Sequence, residues 1–117
     1  MRLSEAIRAG AKMKPAGRGS ESCVPTAENV CALGAAALAG GLEGNATTIY
    51  GALSLTWPIL NERLAHGAKP TTHSMVRSTV MEAIWLLNDQ DRWSREAIAD
   101  WVEQAEQEYE GCKGDRT

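Results

Sequence analysis

The sequence contains no phenylalanine, and its aromatic residues are four tryptophans and two tyrosines. Because aromatic and β-branched residues pack well on a pleated sheet and are sparse here, an all-β domain is disfavoured. Ala and Leu are abundant, and both favour helix. The hydrophobic fraction of 44% and the charged fraction of 23% are ordinary for globular proteins, which argues against a disordered chain. We therefore expect the 117 residues to fold as one α-helical domain around one core.

The sequence also lacks a long apolar segment. Its longest apolar run, 30–42, is rich in Ala and Gly and too short to span a bilayer, so it is predicted to be a buried core helix. The first ten residues are interrupted by Arg2, Glu5 and Arg8 and do not resemble a secretory signal. We expect no membrane partner and a cytoplasmic location.

Cysteine is sparse as well. Cys23, Cys31 and Cys112 are odd in number and fit no disulfide scaffold, which favours a reducing compartment. The spacings from Cys23 to Cys31 and from His66 to His73 match no compact zinc motif. A Cys/His nucleophile ranks last among the functions considered, since no local motif supports it. No catalytic residue, metal or cofactor is predicted.

A run of acids between the last two predicted helices invites comparison with a calcium-binding loop. Counting from Asp89, however, position 5 is Trp93, and position 12 is Asp100 where such loops have Glu. The simpler interpretation is that Asn88 and Asp89 shape the connection between the helices.

Apolar periodicity and capping residues predict a compact bundle of four to five helices. The first helix is predicted from Ser4, as N-cap, to about Lys12, and the second from Thr26 to Gly40. The segment 13–25 between them is rich in Lys, Pro, Gly and Ser and is predicted to be a mobile loop.

The second half of the chain has three further helical patterns. Pro58 interrupts the third helix, which either kinks there or restarts with Thr56 as N-cap. The fifth helix is predicted to begin after Ser94 and to end at Gly111, so that 1–111 form the domain and 112–117 a disordered tail. The fourth helix has an apolar stripe of Val76, Val80, Ala83, Ile84 and Leu87.

Charge is unevenly distributed rather than large, with a net charge of −3. Residues 82–110 contain nine acids and two arginines, and their candidate partner surface lies on one face of the fifth helix. That face consists of Asp100, Glu103, Gln107 and Glu110. The alternative is a solvated face that serves solubility.

The N-terminal region is basic. Residues 1–19 contain five basic side chains against Glu5 alone. A patch of Arg8, Lys12, Lys14 and Arg18 could therefore contact nucleic acid.

Trp85 lies off the main axis of the stripe on the fourth helix. Two interpretations remain open: a core residue, or an interface anchor that binds a partner or a second copy together with Leu86 or Met81.

Several stretches resemble a group of small uncharacterised proteins of bacteriophages, prophages and bacteria. They are LSEAIRAGAKMKP at 3–15, CALGAA at 31–36, LND at 87–89 and WSREAIADWVE at 93–103. The resemblance implies a phage-type cytoplasmic accessory protein and transfers no functional residue. We expect a non-enzymatic protein that binds a host or phage protein, with inhibition of a host defence protein as one such role. Nucleic-acid association through the basic N-terminal segment is the alternative.

Overall fold

All of the described α-helices except the last one are short. The computed structural model describes residues 1–63 and 79–115, and the helices named here are those of the described part. Two turns of 3₁₀-helix, Ser20–Cys23 and Pro58–Asn61, accompany the α-helices. The α-helices are α1 Leu3–Ala11, α2 Ala32–Ala39, α3 Ile49–Thr56, α4 Val80–Asp89 and α5 Arg95–Asp115. The predicted all-α bundle is confirmed.

α2 is the central helix. It is apolar on all sides, and every residue of Ala32–Ala37 is buried, as expected for a helix without a polar face. α1 crosses α2 closely at Gly10, where an added Cβ would lie 1.9 Å from the carbonyl oxygen of Ala35. α1 also packs along α5. This places α1 between the central helix and the acidic last helix.

The predicted start of the second helix at Thr26 is wrong, because α2 begins at Ala32. The backbone of Val30 instead pairs with the segment before the 3₁₀-helix. Its N–H donates to Pro15 O at 2.9 Å, and its carbonyl accepts from Gly17 N at 3.0 Å. Cys31 is the N-cap of α2, and its sulfur accepts from Gly34 N.

The segment 13–25 contains the 3₁₀-helix Ser20–Cys23 and is attached to the next stretch of chain by Lys14. The Lys14 ammonium donates to the carbonyls of Pro25 and Ala27, both at 2.8 Å. The mobility expected of this segment stays a prediction.

Pro58 separates two elements. α3 ends at Thr56, and Pro58 opens the following 3₁₀-helix with Trp57 as N-cap, so the chain restarts rather than kinks and the predicted cap Thr56 is wrong. Trp57 is buried, and its indole N–H donates to Met1 O at 3.0 Å.

α4 presents the predicted stripe to the core. Val80, Ala83, Ile84 and Leu87 are all buried, whereas Val76 lies outside the described residues. The N-cap is Thr79, whose hydroxyl accepts from Glu82 N at 3.2 Å.

α5 begins as predicted, with the Ser94 hydroxyl accepting from Ala97 N at 3.1 Å. The helix continues through Gly111 to Asp115, so the predicted end is wrong. One glycine costs a helix only about 1 kcal/mol, which does not stop it by itself. Residues 116 and 117 lie outside the described part of the chain, and the disordered tail stays a prediction.

Candidate binding surfaces and a buried thiol pair

The predicted acidic face and the predicted basic patch meet in an ionic seam between α1 and α5. The Arg8 guanidinium donates to Asp100 Oδ1 at 2.7 Å and to Glu103 Oε1 at 2.9 Å. These hydrogen bonds raise the pKa of Arg8 above its ordinary value, and the bond to Asp100 has the larger effect. At the other end of α1, Arg2 donates to Glu110 at 2.9 Å. Three of the four predicted acidic-face residues therefore already hold an arginine of the same chain.

A fourth contact of the seam is buried. The Ser4 hydroxyl donates to the Glu106 carboxylate, and both residues are shielded from solvent. Sequence reasoning assigned Ser4 to the N-cap of α1, but the N-cap is Arg2 and Ser4 lies inside the helix. Glu106 follows the buried Val102 by one helical turn, and this spacing could have predicted that Glu106 lies on the buried face of α5.

Lys14 and Arg8 of the basic patch are thus engaged within the molecule, while Lys12 and Arg18 remain exposed. Arg95, at the start of α5, is a buried arginine that sequence reasoning missed. Its guanidinium donates to Lys14 O at 2.8 Å and to Ala11 O at 3.2 Å. A cation in the first turn of a helix is unfavourable next to the positive end of the helix dipole. This unfavourable position was the sequence signal that Arg95 has a structural role.

Beside Arg95 lies a cleft of about 490 Å³. Arg18 and Arg92 line it as exposed cations, and within the described residues neither makes an ion pair or a side-chain hydrogen bond. Trp93 and Asn29 also face the cleft. Arg92 has a φ of 55°, which is uncommon for a residue with a side chain. The cleft combines cationic donors with an aromatic surface.

Asn88 and Asp89, which were compared with calcium ligands, act as connectors. The Asn88 amide donates to Gly17 O and accepts from Ala32 N, and Asp89 accepts from Gly19 N at 3.1 Å. These bonds fasten the end of α4 to the segment 17–19 and to the start of α2.

An apolar groove of about 340 Å³ opens beside α4. Its walls are Leu33, Tyr50, Met81 and Trp85, and Glu82 is its charged lining residue. Trp85 is 47% exposed, so of the two interpretations of this residue the structure places it at the surface and not in the core. An indole at the edge of an apolar groove is the side chain most enriched where binding energy is concentrated.

Cys23 and Cys31 form a buried thiol pair. Their sulfurs lie 3.2 Å apart, with exposed fractions of 0% and 3%. The hydrogen bond from Cys23 lowers the pKa of Cys31, and the N–H of Gly34 adds to this, whereas the same pairing and burial raise the pKa of Cys23. Burial and the neighbouring Cys23 thiol raise the pKa of Tyr50, whose ring also lines the apolar groove. Sequence spacing alone did not bring these cysteines together.

Among the described residues, no group of three His, Cys, Asp or Glu side chains is arranged to hold a metal ion. His66 and His73, considered with the cysteines as metal ligands or catalytic partners, lie outside the described residues. None of the described helices has both the length and the apolar character needed to span a membrane.

Comparison with protein-family models, with curated proteins and with solved structures found no match for this chain.

Proposed function

We propose that this protein is a non-enzymatic binding protein that captures a protein partner in the apolar groove beside Trp85. The observation that carries the proposal is the half-exposed indole at the edge of a groove walled by Leu33, Tyr50 and Met81. Exposed aromatic side chains beside a pocket are typical anchors of protein interfaces. The resemblance to phage and prophage proteins supports an accessory role in the bacterial cytoplasm, with inhibition of a host protein, including a defence protein, as the effect.

The groove points to a partner that presents an apolar side chain next to a basic one. Glu82 is its charged wall, and the whole chain has a net charge of −3. In a two-fold homodimer the same patch is used by both copies, so two Glu82 carboxylates and no basic side chain of the groove would enter one interface. Like charges that meet at an interface are unfavourable, and a different protein with a basic rim is the better occupant.

The predicted acidic face of α5 is a weaker docking surface. Asp100, Glu103 and Glu110 would have to release Arg8 and Arg2 before they could pair with a partner's cations. Exposed ion pairs are worth at most about 1 kcal/mol, so this competition is modest. Gln107, which is exposed, completes the face.

The test compares two exposed apolar residues. Leu55 is 85% exposed and lies on α3, so Leu55→Ala removes an exposed apolar side chain away from the groove. A photo-reactive amino acid is placed at position 85 or 55 in the native bacterial host, and the cross-linked protein is identified and purified. We expect a stoichiometric partner from position 85 alone. Trp85→Ala should weaken its binding by about 30-fold, the effect of a hot-spot residue, and Leu55→Ala by less than about twofold.

Three outcomes contradict the proposal. Equal binding by Trp85→Ala and the unmodified protein excludes the groove. Loss of binding on charge reversal of Asp100 and Glu103 alone moves the site to the α5 face. A dimer in light scattering that dissociates on Trp85→Ala identifies the occupant as a second copy.

Nucleic-acid association is the second candidate, and the cleft of Arg18, Arg92 and Trp93 is the observation that favours it. Two guanidinium groups can hold phosphates while an indole stacks on a base. Binding of a fluorescent single-stranded oligonucleotide should then weaken steeply with salt, and Arg18→Ala with Arg92→Ala should reduce that salt dependence. Binding that is absent, or indifferent to salt, removes this candidate.

A further inference from the structure

The buried thiol pair joins two elements of the fold. Cys23 is the last residue of the first 3₁₀-helix, and Cys31 is the N-cap of α2. Their sulfurs, 3.2 Å apart, have to approach by only about 1 Å to reach the length of a disulfide bond. The described structure has both residues as free thiols. The short distance between the two sulfurs thus favours the formation of a disulfide bond.

The two thiols differ in character. Cys31 accepts the N–H of Gly34 at 3.4 Å in the first turn of α2, where the helix stabilises negative charge, and it is the thiol with the lowered pKa. Cys23, with its raised pKa, keeps its proton and can donate it to Cys31. A thiolate beside a neutral thiol is the arrangement in which the first reacts with an oxidant and the second resolves the product.

We propose that Cys23 and Cys31 are an oxidation site, at which a small hydroperoxide converts the two thiols into an intramolecular disulfide. The Cys31 thiolate attacks the peroxide oxygen, the O–O bond breaks, and an alcohol, or water from hydrogen peroxide, leaves after protonation. Cys31 is then a sulfenic acid. The Cys23 sulfur attacks the Cys31 sulfur, the S–S bond forms, and hydroxide leaves and becomes water with the Cys23 proton. Two thiols lose two electrons, and the hydroperoxide gains them.

The burial of the pair selects the oxidant. Cys23 is fully shielded and Cys31 has only 3% of its surface exposed, so a bulky disulfide such as oxidised glutathione has no access to either sulfur in the folded protein. A small peroxide needs only a brief local opening. The bond would tie the 3₁₀-helix to α2 and close the connection that contains Pro25 and Ala27, whose carbonyls hold Lys14.

The experiment uses the full chain with Cys112→Ser, so that two cysteines remain. The reduced protein is treated with hydrogen peroxide near one equivalent, quenched, unfolded, alkylated with iodoacetamide and analysed by intact mass spectrometry. We expect loss of two hydrogens, no alkylation, and a disulfide in the single tryptic peptide that contains both cysteines. Oxidised glutathione at the same concentration should leave both thiols free to be alkylated after unfolding.

Single variants separate the two roles. With Cys23→Ala, Cys31 loses the hydrogen bond that lowers its pKa, so it should oxidise more slowly and stop at a sulfenic acid that dimedone traps. With Cys31→Ala, Cys23 should stay reduced. The unmodified pair decides the question even if a variant fails to fold. Two thiols that remain free after peroxide treatment, or that go to sulfinic acid without a disulfide, would overturn the proposal.

Discussion

The close crossing of α1 and α2 makes Gly10→Ala the sharpest test of the fold. The added methyl carbon would lie 1.9 Å from Ala35 O and 2.4 Å from Ala35 C, where ordinary contacts begin at 3.4 Å. Because both clashing atoms are backbone, the helices have to separate by about 1 Å or more, and such overpacking costs about 3 kcal/mol. Alanine recovers about 1 kcal/mol by its higher helix propensity. We expect a net loss of about 2 kcal/mol.

The measurement is urea denaturation followed by far-UV circular dichroism. For a domain with about 5–15 kcal/mol of stability, a loss of this size shifts the urea midpoint clearly and lowers Tm by roughly 8 °C. Gly51→Ala is the matched control, since Gly51 lies on α3 and an added Cβ there meets no atom within 4 Å. It should stabilise the protein by up to about 1 kcal/mol. Equal midpoints for the two variants would refute the close crossing.

Four further predictions concern the polar and thiol contacts. Arg95→Met leaves the carbonyls of Ala11 and Lys14 without their side-chain donor and should lower the free energy of unfolding by about 2–4 kcal/mol. Urea denaturation measures this loss, and an unchanged stability would contradict the buried position of Arg95. A double-mutant cycle of Arg8→Ala with Glu103→Ala should give a coupling of about 0.5 kcal/mol that disappears near roughly 1 M salt, and a coupling insensitive to salt would exclude a solvent-exposed ion pair. The disulfide between Cys23 and Cys31 closes a short loop, so the oxidised Cys112→Ser protein should be about 2.5 kcal/mol more stable than the reduced one. Thermal and urea unfolding of the two forms measure this difference, and a less stable oxidised form would contradict the geometry. The rate of peroxide oxidation should rise with pH and level off above about pH 8, because the Cys31 thiolate forms near its lowered pKa of about 7. A rate that keeps rising up to pH 9, as for a thiol with the ordinary pKa of 9.0, would contradict this.

The local part of the fold is predictable from the sequence. The stripe on α4 and the Ser94 cap of α5 depend on residues within one or two helical turns, so spacing is enough to find them. The burial of α2 also follows from composition, because a helix without polar residues has no face to offer water. The helical class of the protein is decided at this level, since scarce β-branched and aromatic residues leave little material for a sheet.

The start of α2, and the charged side chains left unpaired for a partner, depend on contacts between distant parts of the chain. Val30 continues the apolar spacing of α2, yet its backbone bonds to Pro15 and Gly17, an exchange that no local pattern encodes. The candidate acidic and basic surfaces look independent in the sequence, but Arg8 and Asp100, 92 residues apart, form one ion pair.

The thiol pair and the groove are likewise products of packing. Cys23 and Cys31 lie eight residues apart on different elements, and only the turn between them brings their sulfurs together. Trp85 is exposed because α4 directs its apolar stripe to the core and this residue lies off that stripe. Periodicity describes one element at a time, whereas a contact between two elements depends on how the whole chain buries its apolar faces.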